Sequence, residues 1–169
     1  MVLRSRDKGL TWGDAVCITD DAPGNLSFHE TRLLVCASGR VLAMHRTPKG
    51  NYWQNTSADG GHTWSETRDS GLWCGGSSPP DLKLLADGRI LLTRGYRRTP
   101  FGVRAHISKD EGNTWPEPGE IILREDGLDR DVGYPSTVQL ADGRLVTVYY
   151  WHDSDQIRHL RRTTWELPA

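Results

Sequence analysis

Residues able to hold a metal or break a bond are spread thinly along this chain. Its six histidines show neither H-E-x-x-H nor any other paired spacing, so no metal site is expected. Cys17, Cys36 and Cys74 form no C-x-x-C pair and are odd in number, which excludes a disulfide framework and leaves them as small buried apolar residues. No cofactor is expected. Arginines do cluster: Arg97, Arg98 and Arg104 lie within one ten-residue stretch. Their planar forks suit a carboxylate, which they can grip with two hydrogen bonds. The acidic stretch from Glu125 to Asp131 reads as a solvated loop. One aspartate recurs in a fixed setting, S-x-D-x-G-x-T-W, at Ser5–Trp12, Ser57–Trp64 and Ser108–Trp115. Its chemistry is structural. The carboxylate accepts hydrogen bonds from its own turn, Ser and Thr add hydroxyls, and Gly supplies a positive φ. The Trp is then expected to pack between neighbouring sheets, so that Trp64→Ala would cost about 3–5 kcal/mol.

These turns imply the elements around them. The box serines are 52 and 51 residues apart, a period typical of solenoids and propellers. A second marker runs in phase: Ala37-Ser38-Gly39-Arg40, Ala86-Asp87-Gly88-Arg89 and Ala141-Asp142-Gly143-Arg144. Each lies between two apolar, β-branched runs, which is a hairpin signal. A third run precedes each box and a fourth follows the third box as Glu120–Leu123. Four short strands per repeat describe one propeller blade. The expected organisation is a blade end over residues 1–24, blades over 25–72 and 73–125, and a terminal blade over 126–169. In that last blade Gln156–Trp165 takes the phase of a third strand, in preference to a short helix.

The chain has 169 residues, about three such repeats, whereas a six-bladed ring takes roughly 300. The expected fold is therefore all-β, a partial propeller. With 21 Lys+Arg against 22 Asp+Glu the formal net charge is −1, which argues against a nucleic-acid or membrane-surface partner. Apolar runs stop at four or five residues, far short of the roughly 20 that span a bilayer. Met1-Val2-Leu3 leads straight into Arg4-Ser5-Arg6-Asp7 with no apolar leader. A cytoplasmic chain is the default expectation, and a secreted or periplasmic one would require a different true N-terminus.

The three boxes and their hairpins resemble the sialidase (neuraminidase) superfamily, six-bladed propellers with Asp boxes, also called BNR repeats. Gly133-Tyr134-Pro135-Ser136-Thr137-Val138-Gln139-Leu140-Ala141-Asp142-Gly143 is similar to the segment that holds that family's tyrosine nucleophile. The resemblance implies Tyr134 as nucleophile, Glu30 of His29-Glu30-Thr31 as its base, and Arg46 of Ala43-Met44-His45-Arg46 as a ligand for a substrate carboxylate. A further arginine is expected from Arg97, Arg98 or Arg104. Sialic acid carries its carboxylate on the anomeric carbon and would repel a carboxylate nucleophile; a tyrosine is neutral until a glutamate takes its proton. The family's R-I-P arginine and the aspartate after it have no counterpart here, and Pro135 stands where the family often has Ser. The implied function is a retaining, exo-acting sialidase-like glycoside hydrolase, here a part inactive alone, acting on a glycan with an acidic sugar. A homodimer completing the ring is one expected partner. The alternative is a non-catalytic, carbohydrate- or protein-binding propeller.

Overall fold

A computed structural model of the chain describes residues 1–19, 26–116, 119–154 and 157–168. The described residues form thirteen strands and no helix. β1 (Val2–Arg4) and β2 (Gly13–Val16) make a two-stranded sheet. β3 (His29–Val35), β4 (Val41–Arg46), β5 (Asn51–Ser57) and β6 (Arg68–Trp73) make a four-stranded meander, as do β7 (Asp81–Leu84), β8 (Ile90–Tyr96), β9 (Phe101–Ser108) and β10 (Ile121–Gly127). β11 (Gly133–Gln139), β12 (Leu145–His152) and β13 (Arg158–Trp165) form a three-stranded sheet. All pairings are antiparallel. The first strands of successive sheets touch, β3 on β7 and β7 on β11. Sheets fanned about their first strands are the blades of a partial propeller.

The hairpin markers sit between first and second strands, and the boxes between third and fourth. β1 and β2, which flank the first box, are thus the third and fourth strands of their blade. β13 is a strand, in the third position of its own; Gln156 and the expected 24/25 boundary lie outside the described residues. Part of the acidic stretch is also strand, since β10 runs on through Glu125 and Asp126.

The core is a set of seams between blades. Leu42, Met44, Tyr52 and Leu72 of one blade meet Leu82, Ile90, Leu92 and Trp115 of the next. On the other face of that sheet Leu91 and Ala105 pack with Leu145 and Trp165, and Val103 with Val132, Tyr149 and Trp151. β8 is buried along both faces, which is why it opens on the unbroken apolar run Ile90-Leu91-Leu92 instead of an alternation, and Thr93 and Arg94 behind that run are buried too. Cys36 and Cys74 are buried as expected; Cys17 is exposed, because it follows β2, whose two-stranded sheet is itself mostly exposed.

The innermost strands are also tied electrostatically. Buried Asp81 on β7 accepts the Thr137 N–H of β11 at 2.7 Å and faces Arg32 of β3 at 2.9 Å.

Each box folds as expected. Asp7, Asp59 and Asp110 each accept the backbone N–H of the box Thr at 2.9 Å and its hydroxyl at 2.6 Å. The tryptophans differ. Trp115 is 5% exposed, Trp64 is half-buried, and Trp12 is 64% exposed. The Trp64 expectation is therefore too large for a ring that is only half-buried among the described residues.

The Thr hydroxyls hold Asp7 down at about 2 and Asp59 lower still, while Asp110 is lowered by its Thr114 and Ser108 bonds against the opposing effect of burial. A folded-state value below the unfolded one stabilises above the unfolded value and is lost as pH falls. The urea midpoint should therefore drop as pH falls from 3.8 towards about 2. Asp59→Asn should make that acid limb shallower, and an unchanged slope would contradict the assignment.

Candidate functional site

Glu30 and Tyr134 occupy the same place in two different blades. Each lies nine residues before the glycine of its hairpin marker, Gly39 and Gly143. Each also lies where the pairing of its strand slips, between His29 and Arg32 and between Gly133 and Ser136. A bulge re-aims a side chain, and both residues have left-handed backbones, φ 41° at Glu30 and 50° at Tyr134. Holding a non-glycine residue there costs of order 1–3 kcal/mol. Pro79 holds the equivalent position in the blade between them. Gly133 makes room for this arrangement: a Cβ there would meet the Gly95 Cα at 2.9 Å.

The two side chains meet across that middle blade. The Tyr134 hydroxyl donates to Glu30 Oε1 at 2.5 Å. Arg46, at the end of β4, donates through Nη1 to Glu30 Oε2 and, at 3.2 Å, to the Tyr134 oxygen. Burial would raise the Glu30 carboxyl, but the bonds from Tyr134 and Arg46 outweigh it and hold the group below its ordinary value. Arg46 is shifted up by the same contacts against the burial penalty. The carboxylate therefore stays ionised, and able to accept a proton, in mildly acidic solution.

Arg97 follows β8 and lies beside them, its guanidinium carbon 5.6 Å from the centre of the Tyr134 ring. It donates to the carbonyls of Val132 at 3.2 Å and Ser77 at 3.1 Å, and to the Tyr150 hydroxyl at 3.3 Å. Arg98 turns away onto the Trp73 ring, 4.5 Å from its centre. Arg104 is not part of this group. It is buried on the opposite side of its blade's outer strands, 3.5 Å from Glu120, over the Tyr96 ring at 4.7 Å, and donating to the Arg124 and Pro100 carbonyls. Its strand neighbour Arg94 points the same way and shares Glu120. Burial works against ionising Glu120, yet His106 and Arg94 pull it down to about 2.

Other residues in the group belong to no motif singled out in the sequence. Ser77 touches both arginines: its Oγ accepts from Arg46 Nε at 3.0 Å while its carbonyl accepts from Arg97. It ends a turn in which Gly75 lies against the Gly95 carbonyl with no room for a Cβ. Tyr150 donates to Asp131 at 2.7 Å, and Asp131 pairs with Arg158. Burial, then the Asp131 bond, pushes Tyr150 up to about 12. The double glycine at Gly75-Gly76 and the shared nine-residue offset were the available clues.

Cavities open on both sides of Glu30. One of about 330 Å³ is bordered by Glu30, Arg32, Asp81, Tyr134 and Ser136. The other, about 290 Å³, is bordered by Glu30, Arg46, Pro48 and Ser77. Among the described residues no cluster of histidine, cysteine or carboxylate side chains could hold a metal ion. The arrangement offers an ionised carboxylate against a phenol, with two guanidinium groups alongside. It can move a proton from the phenol to the carboxylate and present positive charge to an anion.

A model of a family described as "BNR repeat-like domain" matches residues 1–147. No curated protein matches the chain. Among solved structures, a protein of unknown function from Dyadobacter fermentans DSM 18053 is 32% identical with a TM-score of 0.82, over 98% of this chain and 45% of that one. The Penicillium chrysogenum alpha-L-arabinanase complexed with arabinobiose is 19% identical, TM-score 0.65, over 83% and 46%. The intramolecular trans-sialidase from Ruminococcus gnavus, in complex with oseltamivir carboxylate, is 18% identical, TM-score 0.60, over 97% and 37%. The last two likenesses are of fold. The chain spans less than half the length of each of the three.

Proposed function

The chain belongs to the BNR repeat-like domain family, and on that footing we propose that it carries the nucleophile side of a sialidase-like, retaining exo-glycosidase site for an acidic sugar. The observation that supports this most is the Tyr134–Glu30 hydrogen bond, formed between residues 104 apart that both sit in strained bulges. In the proposed reaction Glu30 takes the phenolic proton as the Tyr134 oxygen bonds to the anomeric carbon. The glycosidic oxygen leaves with a proton from an acid. Arg46 and Arg97 hold the carboxylate on that same carbon, and Tyr134 approaches it without a negative charge of its own.

Among the described residues the aspartates nearest the group are engaged elsewhere, Asp81 with Thr137 and Arg32 and Asp131 with Tyr150 and Arg158, and the resembled family's R-I-P arginine has no counterpart in this sequence. On this reading the chain alone binds its sugar and does not turn it over. That gap equally favours the second reading, a propeller that binds carbohydrate without cleaving it.

The test is saturation-transfer NMR with N-acetylneuraminic acid and its methyl ester. The acid should bind and the uncharged ester should bind much more weakly. Arg46→Ala and Arg97→Ala should each weaken the acid by roughly 10-fold, as expected for a hydrogen bond to a charged group. Equal binding of acid and ester, or binding that survives both arginine changes together, would overturn the proposed site. Binding retained in Tyr134→Phe and Glu30→Ala would favour the second reading. Cleavage of a fluorogenic sialoside by the unaided chain at ordinary enzyme rates would contradict the half-site.

A further inference from the structure

The turn that joins the two four-stranded blades, residues 74–78, is fastened to both of them. The Cys74 N–H donates to the Gly50 carbonyl at 3.0 Å, and the Ser78 N–H to the Cys74 carbonyl at 2.9 Å. The Ser78 carbonyl accepts from the buried Tyr52 hydroxyl of β5 at 2.7 Å, and its Oγ accepts the Gly95 N–H of β8 at 2.9 Å. Arg97 is drawn against the same turn, its N–H donating to the Gly75 carbonyl at 2.7 Å. A Cβ on Gly76 would stand only 3.2 Å from the Arg97 Cβ.

Within this turn three successive residues have left-handed backbones, φ 68° at Gly75, 81° at Gly76 and 69° at Ser77. The first two have no side chain to strain; the third has. A side chain is disfavoured in this region, and such outliers persist where the surrounding structure imposes them, commonly at functional sites. What serine adds over glycine that could accept a bond is one atom, Oγ, and it accepts from Arg46 Nε at 3.0 Å. The Ser77 carbonyl accepts from Arg97 Nη1 at 3.1 Å. One residue thus holds both guanidinium groups, and it does so through uncharged oxygens. The Val132 carbonyl and the Tyr150 hydroxyl, which also accept from Arg97, are uncharged too. These acceptors fix the fork without neutralising it.

We propose that Ser77 is a positioning residue: its Oγ holds Arg46 beside Arg97, so that both forks are set for one carboxylate before the sugar arrives. The inference rests on the reading of these two arginines as carboxylate ligands. Among the described residues the other side-chain bonds of Arg46 run from Nη1 to Glu30 and Tyr134. Those are the contacts that change in the proposed reaction, as Glu30 takes the phenolic proton and the Tyr134 oxygen bonds to carbon. The bond from Nε to Ser77 touches neither reacting atom and keeps the fork in place through that step.

Ser77→Gly and Ser77→Ala both remove Oγ and keep the carbonyl, and glycine also relieves the left-handed backbone. Heteronuclear NMR of the full chain, with the Arg46 Nε–H signal assigned by its loss in Arg46→Lys, reads the brace without any sugar. Exchange of that proton with water should quicken roughly 10-fold in both variants, as expected when a hydrogen bond to a charged group is lost. Unchanged exchange overturns the proposal. Titration with N-acetylneuraminic acid and its methyl ester reads the consequence. The acid should bind roughly 2- to 10-fold more weakly, the cost of ordering one released side chain, and the ester should be unaffected. Equal weakening of acid and ester, or an unweakened acid, overturns the positioning role. The urea midpoint of Ser77→Gly should not fall below that of wild type, which separates lost affinity from lost structure; a midpoint that falls with the affinity overturns the role as well. A wild type that binds neither compound counts against the proposed sugar, while the Nε–H exchange still decides the brace.

Discussion

Asp81→Ala should lower stability by about 3 kcal/mol, measured as a fall in the urea unfolding midpoint with an unchanged slope. The carboxylate lies on the middle one of three innermost strands and bonds to the other two. Its removal leaves the buried Thr137 N–H without an acceptor, which alone costs about 1–3 kcal/mol. The lost ion pair adds less than the 3–5 kcal/mol typical of a fully buried one, because Arg32 is half-exposed and can be solvated. Asp81→Asn should fall between, since its amide oxygen can still accept from Thr137 but its NH₂ would face Arg32. A loss below about 1 kcal/mol in the alanine variant would show that the tie does not hold the blades. Burial raises the Asp81 carboxyl, with the Thr137 N–H and Arg32 pulling it back. With a folded-state value above the unfolded one, ionisation of Asp81 reduces stability as pH rises through that range, opposite in sign to the three boxes.

The second large effect belongs to Trp115. Trp115→Ala should cost about 3–5 kcal/mol, as expected for emptying a buried aromatic site. Trp64→Ala should cost clearly less, because that ring is half-buried. The box geometry adds a finer expectation. Trp12 and Trp64 donate their indole N–H to the box glycine carbonyl at 3.1 Å, but Trp115 Nε1 has no partner among the described residues. The Gly112 carbonyl is instead bonded to Gln54. Trp115→Phe therefore forfeits area but no hydrogen bond, and should retain most of the stability that the alanine variant loses. Equal losses for Phe and Ala would contradict this account.

The local part of the architecture could be read from the chain alone. Box turns and marker hairpins are closed by residues within a few positions of one another, so a short motif carries their whole explanation. The site is different. Glu30 and Tyr134 came from a resemblance to a family, although their common offset from the hairpin glycines was visible in the numbering. Arg97 could not be separated from Arg104 by composition or spacing. Strand register separates them: Arg104 pairs with Arg94 and points into a seam, while Arg97 lies beyond the strand end, next to Tyr134. Nothing local marks Ser77 or Asp81, because the side chains that reach them, Arg46 for Ser77 and Arg32 for Asp81, are on another blade. The tryptophans show the same limit: three copies of one motif have three different exposures, set by what lies in front of each.

The Tyr134–Glu30 contact skips a blade, and this makes it a gauge of curvature. It joins the first strands of two sheets that have a third sheet between them, so it sums two inter-blade angles. Packed sheets lie roughly 10 Å apart, so opening each seam by about 3° would displace one residue from the other by about 1 Å. A 2.5 Å hydrogen bond does not survive that displacement. The fan of blades can thus relax slightly, with every strand still paired, and already have separated the phenol from its carboxylate. The environment of the Tyr134 ring is in effect a goniometer for the arc, and it will register a partner that tightens or slackens the stack before any measure of secondary structure does.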